Sequence, residues 1–374
     1  MGISQKIRVT TILGTRPEII RLSEIIKKFD LNYAHRLIFT SQNRESFVGL
    51  DFFKELGLRD PDYIFQNSTA TTGEFLALLM IEIEQELITN RPDAVVILGD
   101  TNTALASIIT RKLGIPIYHL EAGNRSFDSN VPEEVNRKIV DHTADFNLAY
   151  SRYAESNLLR EGLSSRHCMV MGTPLREVIH ANRSRIDESQ VLVKLKLEPN
   201  NYFLVSSHRQ ENIDSPVRLA ELIRTLNLIA ETYEIPVVVT THPRLKSMMA
   251  MGNFISHQLV KFIEPTGFID YCKLQINSRV VLSDSGSISE ESALLNFKAI
   301  TLRDSMERPE ALEAATILMS GLNADRTISS IEFLQSNVAE IEVPEDYLIT
   351  NSSDRVLNFI QSTFHVRDFW SGRR

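Results

Sequence analysis

Cysteine is nearly absent from this chain of 374 residues: only Cys168 and Cys272 occur, far apart and in no C-x-x-C pattern. A disulfide framework and a thiolate zinc site are both excluded by that spacing. Nine histidines are scattered without an H-x-x-x-H or H-E-x-x-H pattern, so no metal site is expected. Glycine reaches 15 residues, yet no two stand in G-x-G spacing and no P-loop occurs. Nicotinamide redox chemistry and nucleotide hydrolysis lose their usual sequence support, and no cofactor is expected. No apolar run approaches the roughly 18 residues of a spanning helix, so a membrane partner is not expected. Excess positive charge is also lacking. The net charge is −8, which makes a nucleic-acid partner unexpected. The chain enters a strand at Ile7 without a secretory apolar region, and Lys6 stands where myristoylation wants Ser or Thr. A cytoplasmic protein is expected.

What is present is ordinary globular composition, 43% apolar and 24% charged, in a chain long enough for about two domains. Short β-branched runs alternate with helical periods. Strands are expected at Ile7–Leu13, Arg36–Thr40, Ala94–Leu98, Ile115–His119, Phe146–Ala149 and Met169–Met171. The rhythm repeats at Tyr202–Ser206, Val237–Thr241, Leu259–Phe262, Val280–Leu282, Ala299–Thr301 and Ile317–Met319. Helices are expected between them, for example over Glu18–Phe29, Gly73–Thr89 and Arg152–Glu161. Such alternation predicts parallel sheets with crossover helices, an α/β class. The polar stretch Ala181–Asn201 is the expected boundary. It gives a first domain over 1–180, a second over 190–350, and a tail over 351–374 able to pack back on the first.

Three carboxylates stand out between Asp93 and Ile139. Asp100 ends the strand Ala94–Leu98, Glu121 follows the strand after it, and Glu133 opens a helix behind Pro132. Parallel strand ends share the carboxyl edge where open α/β folds bind ligands. Asp100 as an N-cap and Glu133 as a first-turn acid are the bland readings of each alone. Glu121 has no capping role, and a buried charge without a partner is expensive. Together the three favour an active site.

Two turns look like anion cradles. Gly14-Thr15-Arg16-Pro17-Glu18 follows a strand and opens a helix, and Arg16 adds a cation. Ser283-Asp284-Ser285-Gly286-Ser287 does the same in the second half, before a helix whose start carries Glu290 and Glu291. One of these glutamates could hold a ribose, or both could complement the helix dipole. Arg303-Asp304 and Glu307-Arg308-Pro309-Glu310 form a charged cluster, with a solvated loop as the alternative. His208 and His242 each follow a strand. The first could exchange a proton near neutrality, although a histidine there is often structural.

The motifs G-T-R-P-E at Gly14, G-D-T at Gly99, H-L-E-A-G at His119, P-E-E-x-N-R at Pro132, H-R-x-E-N at His208, D-S-G at Asp284 and E-R-P-E at Glu307 occur in this order. In that, the chain resembles the non-hydrolysing UDP-N-acetylglucosamine 2-epimerases over nearly its whole length. The resemblance implies a GT-B architecture of two Rossmann-like domains facing across a cleft, usually as a homodimer. It implies 2-epimerisation of a UDP-N-acetylhexosamine by anti elimination of UDP to a 2-acetamidoglucal and re-addition, without NAD or metal, in cell-surface polysaccharide precursor synthesis. The catalytic residues it implies are Asp100, Glu121, Glu133 and His208. Arg16, Arg21, Arg137, His242, Tyr271, Ser285, Gly286, Ser287, Glu291 and Arg308 would bind substrate, with Tyr271 by the uracil and Glu291 on the ribose.

Departures from the family pattern are few. Ser287 replaces the second glycine of S-G-G, Arg21 replaces a lysine, and Gln42-Asn43-Arg44 replaces Q-H-R. The loop Asn124-Arg125-Ser126-Phe127-Asp128 is shorter than in the UDP-N-acetylglucosamine enzymes. It resembles the branch that converts UDP-2-acetamido-2,6-dideoxy-L-talose to UDP-N-acetyl-L-fucosamine. A GT-B glycosyltransferase or a hydrolysing epimerase is the more distant alternative.

Overall fold

The computed structural model describes residues 6–42, 46–66, 71–207, 212, 215–240, 248, 254–337 and 342–370. The chain divides into two units, one of residues 1–181 with 345–374, the other of residues 182–344. Each is built on an all-parallel sheet. The two are Rossmann-like α/β units carried on one chain, the GT-B class.

The first sheet contains β1 Arg8–Leu13, β2 Ala34–Phe39, β3 Tyr63–Ile64, β4 Ala94–Leu98, β5 Ile117–Leu120, β6 Phe146–Ala149 and β7 Cys168–Val170, in the order β3-β2-β1-β4-β5-β6-β7. All five residues of β4 are buried, which a strand covered by helices on both faces requires. Leu79, Ile83 and Leu87 of the helix Thr72–Thr89 pack with Val95, Ile97 and Ile117 in one core. The strand order reverses beside β1. Its neighbours β2 and β4 lie on opposite sides, so the chain leaves the carboxyl ends of β1 and β4 in opposite directions. A crevice at such a reversal is the ligand position of open α/β sheets.

The C-terminal segment belongs to this first unit. Tyr33 donates to the Leu357 carbonyl at 2.8 Å, and Arg367 pairs with buried Asp145 at 2.8 Å. Phe359 and Trp370 meet the Phe146 ring edge-on.

The second sheet contains β8 Phe203–Ser206, β9 Val237–Thr240, β10 Val260–Ile263, β11 Val280–Ser283, β12 Ala299–Thr301 and β13 Ile317–Met319, in the order β10-β9-β8-β11-β12-β13. The order here reverses between β8 and β11. The helix Pro216–Tyr233 covers one face with Leu219, Leu222, Leu226 and Ile229. Twelve of these thirteen strands overlap the expected ones. The exception is the two-residue β3, too short for an alternation to show. The expected helix after Asp100 begins as a 3₁₀ turn, Asn102–Leu105, and becomes α-helical at Ala106.

Candidate functional site

In the first unit, register decides which loops meet. Ile12 pairs with Ile97, and Leu98 pairs with Leu120. Two residues past the first pair and one past the second, Gly14, Gly99 and Glu121 therefore stand side by side on the carboxyl edge. A Cβ added at Gly99 would lie 3.6 Å from Glu121 Oε2, so the end of one strand lies against the carboxylate that follows the next. Gly99 has φ +75°, a left-handed conformation that glycine adopts without a Cβ penalty.

Each acid is held by an arginine. Arg137 Nε donates to Asp100 Oδ2 at 2.7 Å, and its Nη1 donates to Glu134 at 2.9 Å. Arg21 Nη1 donates to Glu121 Oε2 at 2.8 Å, with its guanidinium over the Tyr150 ring. Both arginines are buried. Both were expected to bind substrate, and each is paired with a carboxylate of the same edge. Asn136 donates to the Asp100 carbonyl at 2.9 Å. Glu133, half-buried, opens the helix Glu133–Thr143 that carries both Asn136 and Arg137. Glu121 itself sits at φ +67°. For a residue with a Cβ that costs about 1–2 kcal/mol, and such cost concentrates where a side chain must be aimed.

The cradle at Gly14 is occupied by the chain itself. The backbone N–H groups of Gly14 and Thr15 both donate to Glu18 Oε2, at 2.5 and 3.0 Å. Thr101 Oγ1 donates to Glu18 Oε1 at 2.6 Å. The expectation of a phosphate there is corrected, because a buried carboxylate already takes those donors. Arg16 is half-buried, with its guanidinium 5.5 Å from the Phe52 ring centroid. Burial pushes the Glu18 carboxyl up to about 7, against the opposing pull of its Thr101, Gly14 and Thr15 hydrogen bonds. Sequence reasoning passed over Glu18. Its only signal was the capping-box spacing from Thr15.

A second network lies under Glu121. His119 Nδ1 meets Asp141 Oδ1 and its Nε2 meets the Gly99 carbonyl, both at 2.8 Å. Asp141 also pairs with fully buried Arg125 at 2.7 Å and accepts from the Gly123 N–H. Arg125 reaches on to Glu161 at 2.6 Å. The strand end before Asp100 and the turn after Glu121 are thereby tied to one ring and one carboxylate. Asp141, Arg125 and Glu161 carried no motif signal strong enough to single them out. The side chain of Phe127 is 78% exposed.

In the second unit, the loops after β8 and β11 are joined. Buried Asp284 accepts from Ser207 Oγ at 2.8 Å and from Asn212 Nδ2 at 2.9 Å. Ser285 and Ser287 hydroxyls are 2.9 Å apart ahead of the helix Ile288–Leu295. The structure separates the two glutamates. Glu290 is fully buried and pairs with Arg308 Nη2 at 3.2 Å, while Arg308 Nη1 donates to the Gly286 carbonyl. Glu291 accepts from Gln275 Nε2 at 2.5 Å, and its charge acts on the Tyr271 hydroxyl. Burial pushes that hydroxyl far above its usual range. Tyr271 and Glu291 therefore share one place in this unit. The cluster at Arg303–Glu310 is no solvated loop: Arg303, Glu307, Arg308 and Glu310 are all buried. A small pocket is lined by Ser285, Gly286, Thr301, Arg303 and Arg308 among others.

His208 and His242 lie outside the described residues, as do Asn43 and Arg44. Among the described residues, no grouping of three or more His, Cys, Asp or Glu could hold a metal, and no helix is long and apolar enough to cross a membrane.

Acids at the switch point of one Rossmann-like unit and a serine–glycine turn at that of another define a nucleotide-sugar type of α/β enzyme. The profile of the family described as UDP-N-acetylglucosamine 2-epimerase matches residues 27–361. The UDP-N-acetylglucosamine 2-epimerase of Methanocaldococcus jannaschii is 36% identical over 336 residues, covering 87% of this chain and 92% of that protein. Its crystal structure in complex with UDP-GlcNAc and UDP superposes with a TM-score of 0.89 at 34% identity, covering 95% of this chain and 99% of that one. The UDP-2,3-diacetamido-2,3-dideoxy-D-glucuronate 2-epimerase of Pseudomonas aeruginosa is 29% identical over 333 residues, covering 86% of this chain and 91% of that protein. The chain belongs to the UDP-N-acetylglucosamine 2-epimerase family, and it is an isomerase.

Proposed function

We propose that this enzyme inverts the second carbon of a UDP-N-acetylhexosamine, interconverting the UDP-GlcNAc and UDP-ManNAc types. The observation that carries the reading is the placing of Asp100 and Glu121 at adjacent strand ends, each paired with a buried arginine. The hydrogen to be moved is not next to a carbonyl, so direct deprotonation is hopeless. Loss of UDP comes first: the anomeric C–O bond breaks and its electron pair leaves with the β-phosphate. The anomeric centre becomes oxocarbenium-like, which acidifies the neighbouring C–H. A carboxylate takes that proton and a 2-acetamidoglucal forms. A proton then returns to the opposite face of the second carbon and UDP re-adds. The cycle is redox-neutral.

Carboxylates stabilise the positive charge and exchange the protons. Asp100, Glu121 and Glu133 are assigned to those tasks, with His208 beside the diphosphate. Ser285, Gly286, Ser287 and Arg308 serve the diphosphate side, Glu291 the ribose and Tyr271 the uracil; Arg16 and His242 are carried from the family pattern. The homodimer, the cytoplasmic place and the role in polysaccharide precursor synthesis belong to the same reading. Incubation with UDP-GlcNAc in deuterium oxide tests it. Label at the second carbon of both epimers is expected, and turnover without label there would sink the mechanism.

A 6-deoxy sugar is the second reading, and the exposure of Phe127, in the loop between Glu121 and Glu133, supports it. A phenyl ring near the sixth carbon favours a methyl by about 1 kcal/mol, and burying an unpaired hydroxyl costs about 1–3 kcal/mol. Preference for the UDP-6-deoxy-hexosamine by about 10- to 10³-fold in kcat/KM is the expected result. Equal values would return the enzyme to the 6-hydroxy branch.

A further inference from the structure

His119 lies in β5, is buried, and meets an oxygen with each ring nitrogen at 2.8 Å. Nε2 faces the Gly99 carbonyl, which can only accept. Nδ1 faces Asp141 Oδ1. The other oxygen of Asp141 takes Arg125 Nη1 at 2.7 Å and the Gly123 N–H at 3.2 Å, the setting of an ionised carboxylate. That group too can only accept. A neutral imidazole donates from one nitrogen and would aim a lone pair at the second oxygen. The ring that carries both protons satisfies both contacts.

Charge balance points the same way. Arg125 pairs with Asp141 and, at 2.6 Å, with Glu161, so two carboxylates share one guanidinium. A positive ring on Asp141 completes the pairing that a buried carboxylate needs. The neighbouring titratable groups do not replace it. His142 is exposed and meets Glu161 at 3.2 Å. Cys168 of β7 lies near Asp141 and Glu155, and burial pushes its thiol up to about 11, so it stays uncharged.

These contacts join the elements that carry the three acids. Asp100 directly follows Gly99, and Glu121 stands two residues beyond His119. Glu133 opens the helix Glu133–Thr143, in which Asp141 lies near the other end. Sheet register sets β4 against β5, Leu98 with Leu120. A helix has no place in that ladder, so side chains must set its direction. A short helix moves as a rod, and fixing Asp141 fixes how the first turn presents Glu133.

We propose that His119 is a positioning residue of this site, a ring with both nitrogens protonated that holds the strand end before Asp100, the strand before Glu121 and the helix of Glu133 in one arrangement. The proposal rests on the assignment of those acids to 2-epimerisation.

NMR of the whole enzyme with isotope-labelled histidine ring nitrogens, without ligand and near neutral pH, tests the ring. The resonances that vanish in His119→Asn and His119→Gln should show a proton on both nitrogens in wild type; one bare nitrogen would overturn the assignment. Turnover of UDP-GlcNAc and calorimetry with UDP test the role. An Asn amide can stand in for Nδ1 and a Gln amide for Nε2, so each variant keeps one tie and loses the other. Each should lower kcat by about 10- to 100-fold, the scale of a small misplacement of reacting groups, and leave UDP affinity unchanged. Wild-type turnover in a folded variant, or an equal loss of UDP affinity, would overturn the positioning role and leave the reaction standing. If one variant fails to fold, the other decides; if both fail, His119 is structural and the proposal falls. Wild-type enzyme without any turnover would instead overturn the reading of the reaction and the positioning role with it, and the spectrum alone would judge the ring.

Discussion

Replacing Glu18 by Gln should make the protein more stable, and increasingly so as pH rises. In the folded chain the Glu18 carboxyl titrates at about 7 against an ordinary 4.5, chiefly because it is buried. Below both values the folded and unfolded chains carry the same proton. Between them the unfolded chain releases its proton first, so wild-type stability falls as pH rises. Above about 7 the loss is complete. A rise from 4.5 to about 7, at 1.36 kcal/mol per pH unit, makes that loss about 3 kcal/mol. Glutamine cannot ionise. Its carbonyl oxygen can accept from the Gly14 and Thr15 N–H groups as Oε2 does, and its amide can donate to Thr101 once that hydroxyl turns. Urea unfolding of both proteins across about pH 5 to 8 isolates the effect, because every other titrating group cancels in the difference. The variant's advantage should grow by about 3 kcal/mol over that range and then level off. A difference independent of pH would refute the reasoning, and with it the claim that this buried carboxyl is neutral for part of the physiological range.

Asp100→Asn and Glu121→Gln should each reduce turnover by about 10²-fold or more while UDP affinity by calorimetry is retained; near-wild-type turnover in either would remove that residue from the chemistry. Gly123→Ala should destabilise by about 2 kcal/mol or more, since φ is +85° and an added Cβ would collide with the Ala154 carbonyl oxygen beside the Asp141 network. Thermal unfolding at the wild-type temperature would show that the turn after Glu121 has room that the structure denies it.

Fold class was legible because parallel strands buried on both faces must be written as unbroken apolar runs. Ala94–Leu98 is such a run, and it, Phe146–Ala149 and Ala299–Thr301 have the expected bounds, although Asn147 and Thr301 put a polar residue in the last two. Seven ordered motifs made the family legible as well, since loops at strand ends carry the chemistry and leave their residue types in the sequence. Partnership was not legible. Glu18 reads as one acid in a helix start until the fold brings Thr101 to it across 83 residues. Arg21 and Arg137 read as single cations, and only the fold shows that Glu121 and Asp100 are their partners. Arg308 and Arg303 lie five residues apart in one charged cluster and are equally buried, and only hydrogen bonding tells them apart, Arg308 meeting the Gly286 carbonyl and Glu290, Arg303 meeting Glu307. Residue type and local period are set by neighbours along the chain. Charge pairing, desolvation and the aim of a side chain are set by neighbours in space, and those exist only once the sheet has chosen its order.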